Sequence, residues 1–230
     1  MNYFTESIIG ALGLLFTLDP QVYLIMWTSV HISLIAALLA SSLGIPLGTI
    51  IALGRFPGKS ALMLVLGSLM ALPTVTIGLF FYGLLSRQGP LGELGLLYSK
   101  TAIIIGETVL ILPIIVHMTI SAIQAADSRL LPTLKMLGAS RCQMLMLVVS
   151  ELRRTIVSGV IAGFGRAIGE VGVAMMLGGN IKGFTRTMTT AIALETSKGE
   201  FDFALALGIL LLIIAVAVNG ILNLINRSST

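Results

Sequence analysis

Apolar runs of membrane-spanning length decide what this chain can fold into. A helix that crosses the hydrocarbon core needs about 20 predominantly apolar residues. The stretches 21–54, 60–86, 101–124 and 203–226 reach that length. A fifth, 145–179 with its most apolar part at 155–179, qualifies although it carries Arg166 and Glu170. Inside a bilayer every backbone N–H and C=O must be satisfied within the protein, and a helix does this segment by segment. The expected architecture is therefore all-α, a polytopic transmembrane helical bundle of about five spans over residues 20–226. Residues 7–18 are apolar but too short to cross. The segment 1–19 reads instead as an N-terminal helix lying in the membrane interface. Asp19 and Pro20 then restart the chain, as a helix cap and a first helical residue.

The charges set the topology. Only 10% of the 230 residues are charged and 56% are hydrophobic, against about 25% charged in a soluble domain. The net charge of +4 does not point to nucleic acid, because the basic residues sit between the apolar runs. Arg55, Lys59, Arg129, Lys135, Arg141, Arg153, Arg154 and Arg227 fall on one side, where Asp127 and Glu151 are the acids. Arg87, Lys100, Lys182, Arg186 and Lys198 fall on the other. The positive-inside rule places loops 55–59 and 125–154 and the C-terminus in the cytoplasm and the N-terminus outside. Residues 1–19 hold Glu6 and Asp19 but no basic side chain, so the positive n-region of a secretory signal is missing. The single cysteine, Cys142, excludes an intramolecular disulfide and a cysteine-rich metal site.

Two segments carry the functional signal. The cytoplasmic stretch 125–154 reads as a short helix, a break at Gly138, and a second helix leading into the membrane. It is either a knob for a partner's groove or a plain connector. The second segment is 163–183, GFGRAIGEVGVAMMLGGNIKG. Arg166 and Glu170 are four residues apart and share a helix face. Charges at membrane depth mark a functional path unless they only hold helices together. Gly159, Gly163, Gly165 and Gly169 allow close helix packing. The stretch 178–202, rich in Gly, Thr and charge, reads as partly re-entrant.

Other intramembrane polar residues are His31, Glu107, His117 and Asn219. Glu107 either pairs with Arg166 or lines a path, whereas the isolated histidines suggest interhelical hydrogen bonds and no metal site. Pro46, Pro73 and Pro113 each sit within a span, where each bends a helix and frees a carbonyl. Thr74 and Thr76 after Pro73, with Thr185, Thr187, Thr189 and Thr190, are candidate lining groups. LGRFPGKS, residues 53–60, almost spells a phosphate-binding loop. Leu53 stands where that motif needs glycine, and the setting is a membrane turn.

The segment 125–154 resembles the coupling loop of type I ABC importer permeases, on Leu137, Gly138, Ala139, Ser140 and Gln143. Pro132-Thr133-Leu134 stand where that signature has Glu-Ala-Ala, and Glu151 stands where Pro is usual. The segments 163–183, 54–59 and 186–209 resemble molybdate and tungstate permeases, tungstate permeases most. The likeness runs from about residue 20 to about residue 225. It implies a permease subunit in the cell membrane, working as a homodimer with two cytoplasmic ABC ATPase subunits that hold ATP and Mg²⁺. An extracytoplasmic oxyanion-binding protein delivers the anion. The chain itself holds no cofactor, no ATP site and no catalytic residue. It couples to the ATPase through residues 125–141 of the cytoplasmic loop 125–144 and moves tungstate by alternating access, along a path that includes Thr74, Thr76, Glu107, Arg166 and Glu170. Molybdate or sulfate is the alternative substrate. An intramembrane enzyme would have to use Glu107, His117 and Glu170, which no catalytic spacing links. A stand-alone ion-coupled carrier would show internal repeats, and none is evident.

Overall fold

The computed structural model describes residues 3–54, 56–127 and 129–227. Arg55 lies outside them, and so do the side chains of Lys135, Arg141 and Arg227. Among the described residues the α-helices run, in chain order, α1 (Tyr3–Phe16), α2 (Pro20–Leu53), α3 (Lys59–Met70), α4 (Thr74–Leu85), α5 (Lys100–Gln124), α6 (Leu130–Met136), α7 (Arg141–Glu151), α8 (Arg153–Ile168), α9 (Gly172–Gly178), α10 (Met188–Lys198) and α11 (Phe201–Arg227). Among the described residues there is no strand. Three helices, Pro20–Leu53, Lys100–Gln124 and Phe201–Leu222, are each long and apolar enough to cross a membrane. There are up to five spans if α3 with α4 and α8 with α9 each count as one.

The centre of the bundle is α2 against α5, with α8 packed on both. α2 starts where Asp19 accepts hydrogen bonds from the backbone N–H groups of Gln21 (2.9 Å) and Val22 (3.1 Å). Its inner face is built from small residues, among them Ala36, Ala37, Ala40, Gly44 and Gly48. This lets α5 approach closely. A Cβ on Gly48 would stand 2.8 Å from the Val116 carbonyl oxygen and from Thr119 Cβ. Gly48→Leu is expected to lower the thermal unfolding midpoint in detergent by the equivalent of about 1–3 kcal/mol of overpacking. Gly67→Ala, with nothing within 4 Å, is the control. Equal midpoints for the two would contradict this packing.

The runs 60–86 and 155–179 are not straight spans. α3 and α4 meet at 94°, and α8 and α9 at 60°. The first break falls at Pro73, which caps α4. Proline has no N–H to donate and disfavours helical backbone in the residue before it. Pro46 and Pro113 lie inside continuous helices, so of the three prolines only Pro73 stands at a break between helices. The second break has no proline. α8 ends at Ile168, and Gly169 and Glu170 donate their N–H groups to Ala167 O in tightened final turns.

Two other segments are more regular than their composition suggests. Within 178–202, Thr187 and Thr190 form a capping box that starts α10. The Met188 N–H donates to Ser29 Oγ at 2.7 Å, fixing α10 to α2. Met188 and Ala191 then join Val22, Ile25, Ile168, Leu207 and Leu210 in an apolar cluster. α1 packs along α11 with Ser7 and Ala11 buried. Any side chain at Gly10 would run into the Asp202 carboxylate.

Candidate translocation site and coupling loop

The break between α8 and α9 is organised by one residue. Glu170 accepts a hydrogen bond from Arg166 Nη1 on Oε2 at 2.7 Å. Its other oxygen, Oε1, accepts the Val173 N–H at 3.1 Å and so satisfies a free donor in the first turn of α9. Its backbone carbonyl accepts the Thr189 hydroxyl at 2.6 Å. Glu170 therefore joins α8, α9 and the start of α10. The carboxylate is buried, whereas 39% of the Arg166 side chain is exposed. The cation of this pair thus reaches the surface of the chain and the anion does not.

The two breaks touch. Thr74, at the start of α4, lies so close to Gly172, at the start of α9, that a Cβ there would stand 2.8 Å from Thr74 Oγ1. Further along, a Cβ on Gly78 would stand 3.0 Å from Met176 Cβ. Thr74 is half-buried and Thr76 exposed.

Glu107 lies on α5 and is 2% exposed. Ser33 and Glu170 are polar neighbours of its carboxylate. Its Oε2 has no hydrogen-bond partner among the described residues. Arg166 pairs with Glu170 and not with Glu107, because the i, i+4 partner is within reach on the same side of the break.

The glycines divide in two. A Cβ on Gly159 would stand 2.8 Å from Met118 Cβ, and one on Gly163 3.2 Å from Ile115 Cγ1, so both face α5. Gly165 has nothing within 4 Å, and at Gly169 the nearest atom is the backbone carbonyl of Gly165 at 3.7 Å. Among the described residues His31 does not make the expected histidine hydrogen bond. It is exposed, with its ring 6.4 Å from that of Trp27. His117 is half-buried. Asn219 donates within its own helix, to Ala215 O at 2.9 Å. Among the described residues no group of three His, Cys, Asp or Glu side chains could hold a metal ion.

The 125–144 segment is a helix–turn–helix. Leu137 is 77% exposed. Gly138 has φ +74, and the Ala139 N–H returns to Leu134 O at 3.1 Å. Ser140 and Gln143 form a reciprocal capping box at the start of α7. Gly138 and this box set the angle between α6 and α7, and Leu137 projects at the corner. At 53–60 the Lys59 ammonium donates to Ala52 O (2.7 Å) and Gly54 O (3.0 Å). It thereby caps the carboxyl end of α2.

Three contributions are not legible in the sequence: the capping role of Glu170, the Thr189 bond across 19 residues, and Ser33 beside Glu107. Glu170, three residues before Val173, is the one with a local signal, an acid at a helix start.

The sequence profile of the family described as binding-protein-dependent transport system inner membrane component matches residues 44–230. The chain is 41% identical over 222 residues to the tungstate uptake system permease protein TupB of Peptoclostridium acidaminophilum, covering 96% of this chain and 97% of that one. It is 38% identical over 228 residues to the protein of the same name from Campylobacter jejuni, covering 99% and 95%. Identity to the molybdenum transport system permease protein ModB of Escherichia coli is 29% over 196 residues, covering 79% and 83%. A chain of the inward-facing MetNI methionine ABC transporter superimposes with a TM-score of 0.74 at 17% identity, covering 92% of this chain and 99% of that one. With its bundle of apolar helices, two of its spans broken at touching points, the chain belongs to the family of binding-protein-dependent transport system inner membrane components.

Proposed function

We propose that this chain is the membrane-spanning permease subunit of an ATP-driven tungstate importer. The observation that carries the reading is the 41% identity over 96% of the chain to a tungstate uptake permease. Residues 20–226 act as the permease domain and 1–19 as an interfacial helix. The chain works as a homodimer with two cytoplasmic ATPase subunits, which bind ATP and Mg²⁺, and with an extracytoplasmic oxyanion-binding protein. It has no ATP site of its own.

Physical chemistry supports a path at the touching breaks. A guanidinium at membrane depth must face water or protein, and Arg166 is partly exposed there. Its pairing with Glu170 tempers the attraction, so an oxyanion is drawn in without being trapped. Thr74 and Thr76 add hydroxyl donors. Glu107 and Glu170 contribute from behind, as buried supports. Leu137, Gly138, Ala139, Ser140 and Gln143 form the coupling corner, which ATP-driven closure of the partner subunits moves. Gly159 and Gly163 hold α8 against α5, and Gly165 and Gly169 leave room for a second copy.

The test is to delete the gene and measure cellular tungsten, molybdenum and sulfur at equal low concentrations of the three oxyanions. Selective loss of tungsten, restored by the intact chain, is expected. Loss of molybdenum instead would favour the molybdate reading that the ModB likeness raises. Unchanged levels of all three, with the chain confirmed in the membrane, would overturn the oxyanion assignment.

A further inference from the structure

The outer end of α4 carries a recess that the path does not use. Its volume is about 660 Å³, and Tyr82, Ser86, Arg87, Gln88 and Tyr98 supply its polar lining. Among the described residues that line it, Arg87 is the one charged side chain. Glu93 is exposed nearby but is not part of the lining. The Tyr98 hydroxyl donates to that of Tyr82 at 3.4 Å. A guanidinium beside hydroxyl and amide donors suits a carboxylate, which it can bind through two charge-assisted hydrogen bonds. The space falls in the range of about 300–1,000 Å³ that holds a drug-sized ligand. It is roomy for an inorganic oxyanion and fits an acidic side chain with part of its loop.

Tyr98 ties this recess to the broken span. Its backbone N–H donates to Leu177 O, in the last turn of α9, at 2.8 Å. Its ring lies against Gly179, where a Cβ would stand 2.7 Å from Tyr98 Cδ1. Tyr98 does this at φ +63, a left-handed conformation rare for a bulky residue. Such strain persists where the surroundings over-determine it, often at switch regions. The same side chain therefore touches the mouth of the recess and the outer end of α9.

We propose that the recess at Arg87, Tyr82 and Tyr98 seats an acidic side chain of the extracytoplasmic binding protein, and that Tyr98 passes its arrival to α9. The inference rests on reading the chain as a binding-protein-dependent permease with residues 86–99 outside. Charge complementarity selects this occupant, and the contact with α9 gives its docking a consequence.

The test uses cells in which tungstate uptake requires this chain. Arg87→Glu is expected to cut uptake at least about tenfold through like-charge repulsion at the contact, with the amount of chain in the membrane unchanged. Arg87→Lys keeps most uptake. Revertants of Arg87→Glu selected for regained uptake should carry an Asp or Glu to Lys or Arg change in the binding protein. Wild-type uptake by Arg87→Glu would overturn the inference. So would revertants confined to this chain. A lipid site would show in the purified transporter without binding protein. There Arg87→Glu would alter basal ATP hydrolysis in phosphatidylglycerol vesicles and not in phosphatidylcholine vesicles, which also overturns the inference. If Arg87→Glu fails to insert, Tyr98→Phe, which keeps the ring against Gly179, decides in its place. A several-fold loss of uptake supports the inference and no loss overturns it. Unchanged uptake on deleting the whole gene would instead defeat the permease reading.

Discussion

Glu170→Ala is expected to abolish uptake and to lower the thermal unfolding midpoint of the purified chain. Three restraints meet at this residue, and the substitution removes two. The bond to the Val173 N–H is a helix cap, worth about 0.5–2 kcal/mol. The bond from Arg166 is charge-assisted, and such bonds contribute about 1.5–3 kcal/mol. Arg166 is 39% exposed, which places its share at the low end. The third restraint, Thr189 to the Glu170 carbonyl, survives because it uses the backbone. The break should therefore persist, but loosely, and Arg166 loses the partner that holds its guanidinium. Glu170→Gln is the companion variant. Its amide oxygen can serve one of the two donors, so it should retain part of the stability while removing the charge that tempers Arg166. The measurements are a melting curve in detergent and tungstate uptake in a deletion strain. Wild-type stability and uptake for Glu170→Ala would remove Glu170 from the site.

The restraints on Glu170 are hidden from the sequence for a physical reason. The helices α2, α5 and α11 follow from composition, because a long apolar run without charge has only one stable form in lipid. The breaks do not. Pro46, Pro73 and Pro113 are the same residue in similarly apolar settings, yet only Pro73 stands at a break between helices. Pro113 is buried in a helix packed by α2 and α8, and such packing can hold a proline-containing helix together. The α8–α9 break depends on a hydroxyl 19 residues away, beyond any local pattern. The spacing of Arg166 and Glu170 does suggest their pair, which survives because Glu170 lies just past the helix end. Which glycines meet a neighbour is also hidden. Gly163 and Gly165 lie two residues apart, but only Gly163 packs against α5.

Gly138→Val should separate ATP hydrolysis from transport. The position has φ +74 and open space where a Cβ would stand, so no collision opposes the substitution. The cost is conformational, since left-handed backbone penalises an L-residue by about 1–2 kcal/mol, and more when it is β-branched. The turn can escape by taking a right-handed backbone. That breaks the Ala139 N–H to Leu134 O bond and re-aims α6 and Leu137 relative to the Ser140–Gln143 cap. The membrane spans do not depend on this turn, so insertion should be normal. Uptake should fall at least about tenfold, the effect of misdirecting roughly 1.4 kcal/mol of coupling, while the ATPase keeps turning over in the assembled complex. Gly138→Asn is the discriminating control. Asparagine tolerates left-handed backbone far better than valine, so it should retain most uptake although it adds a side chain of comparable size. If asparagine and valine fail alike, the bare surface at Gly138 matters and the turn angle does not. If both transport normally, the 125–144 corner is not the coupling element.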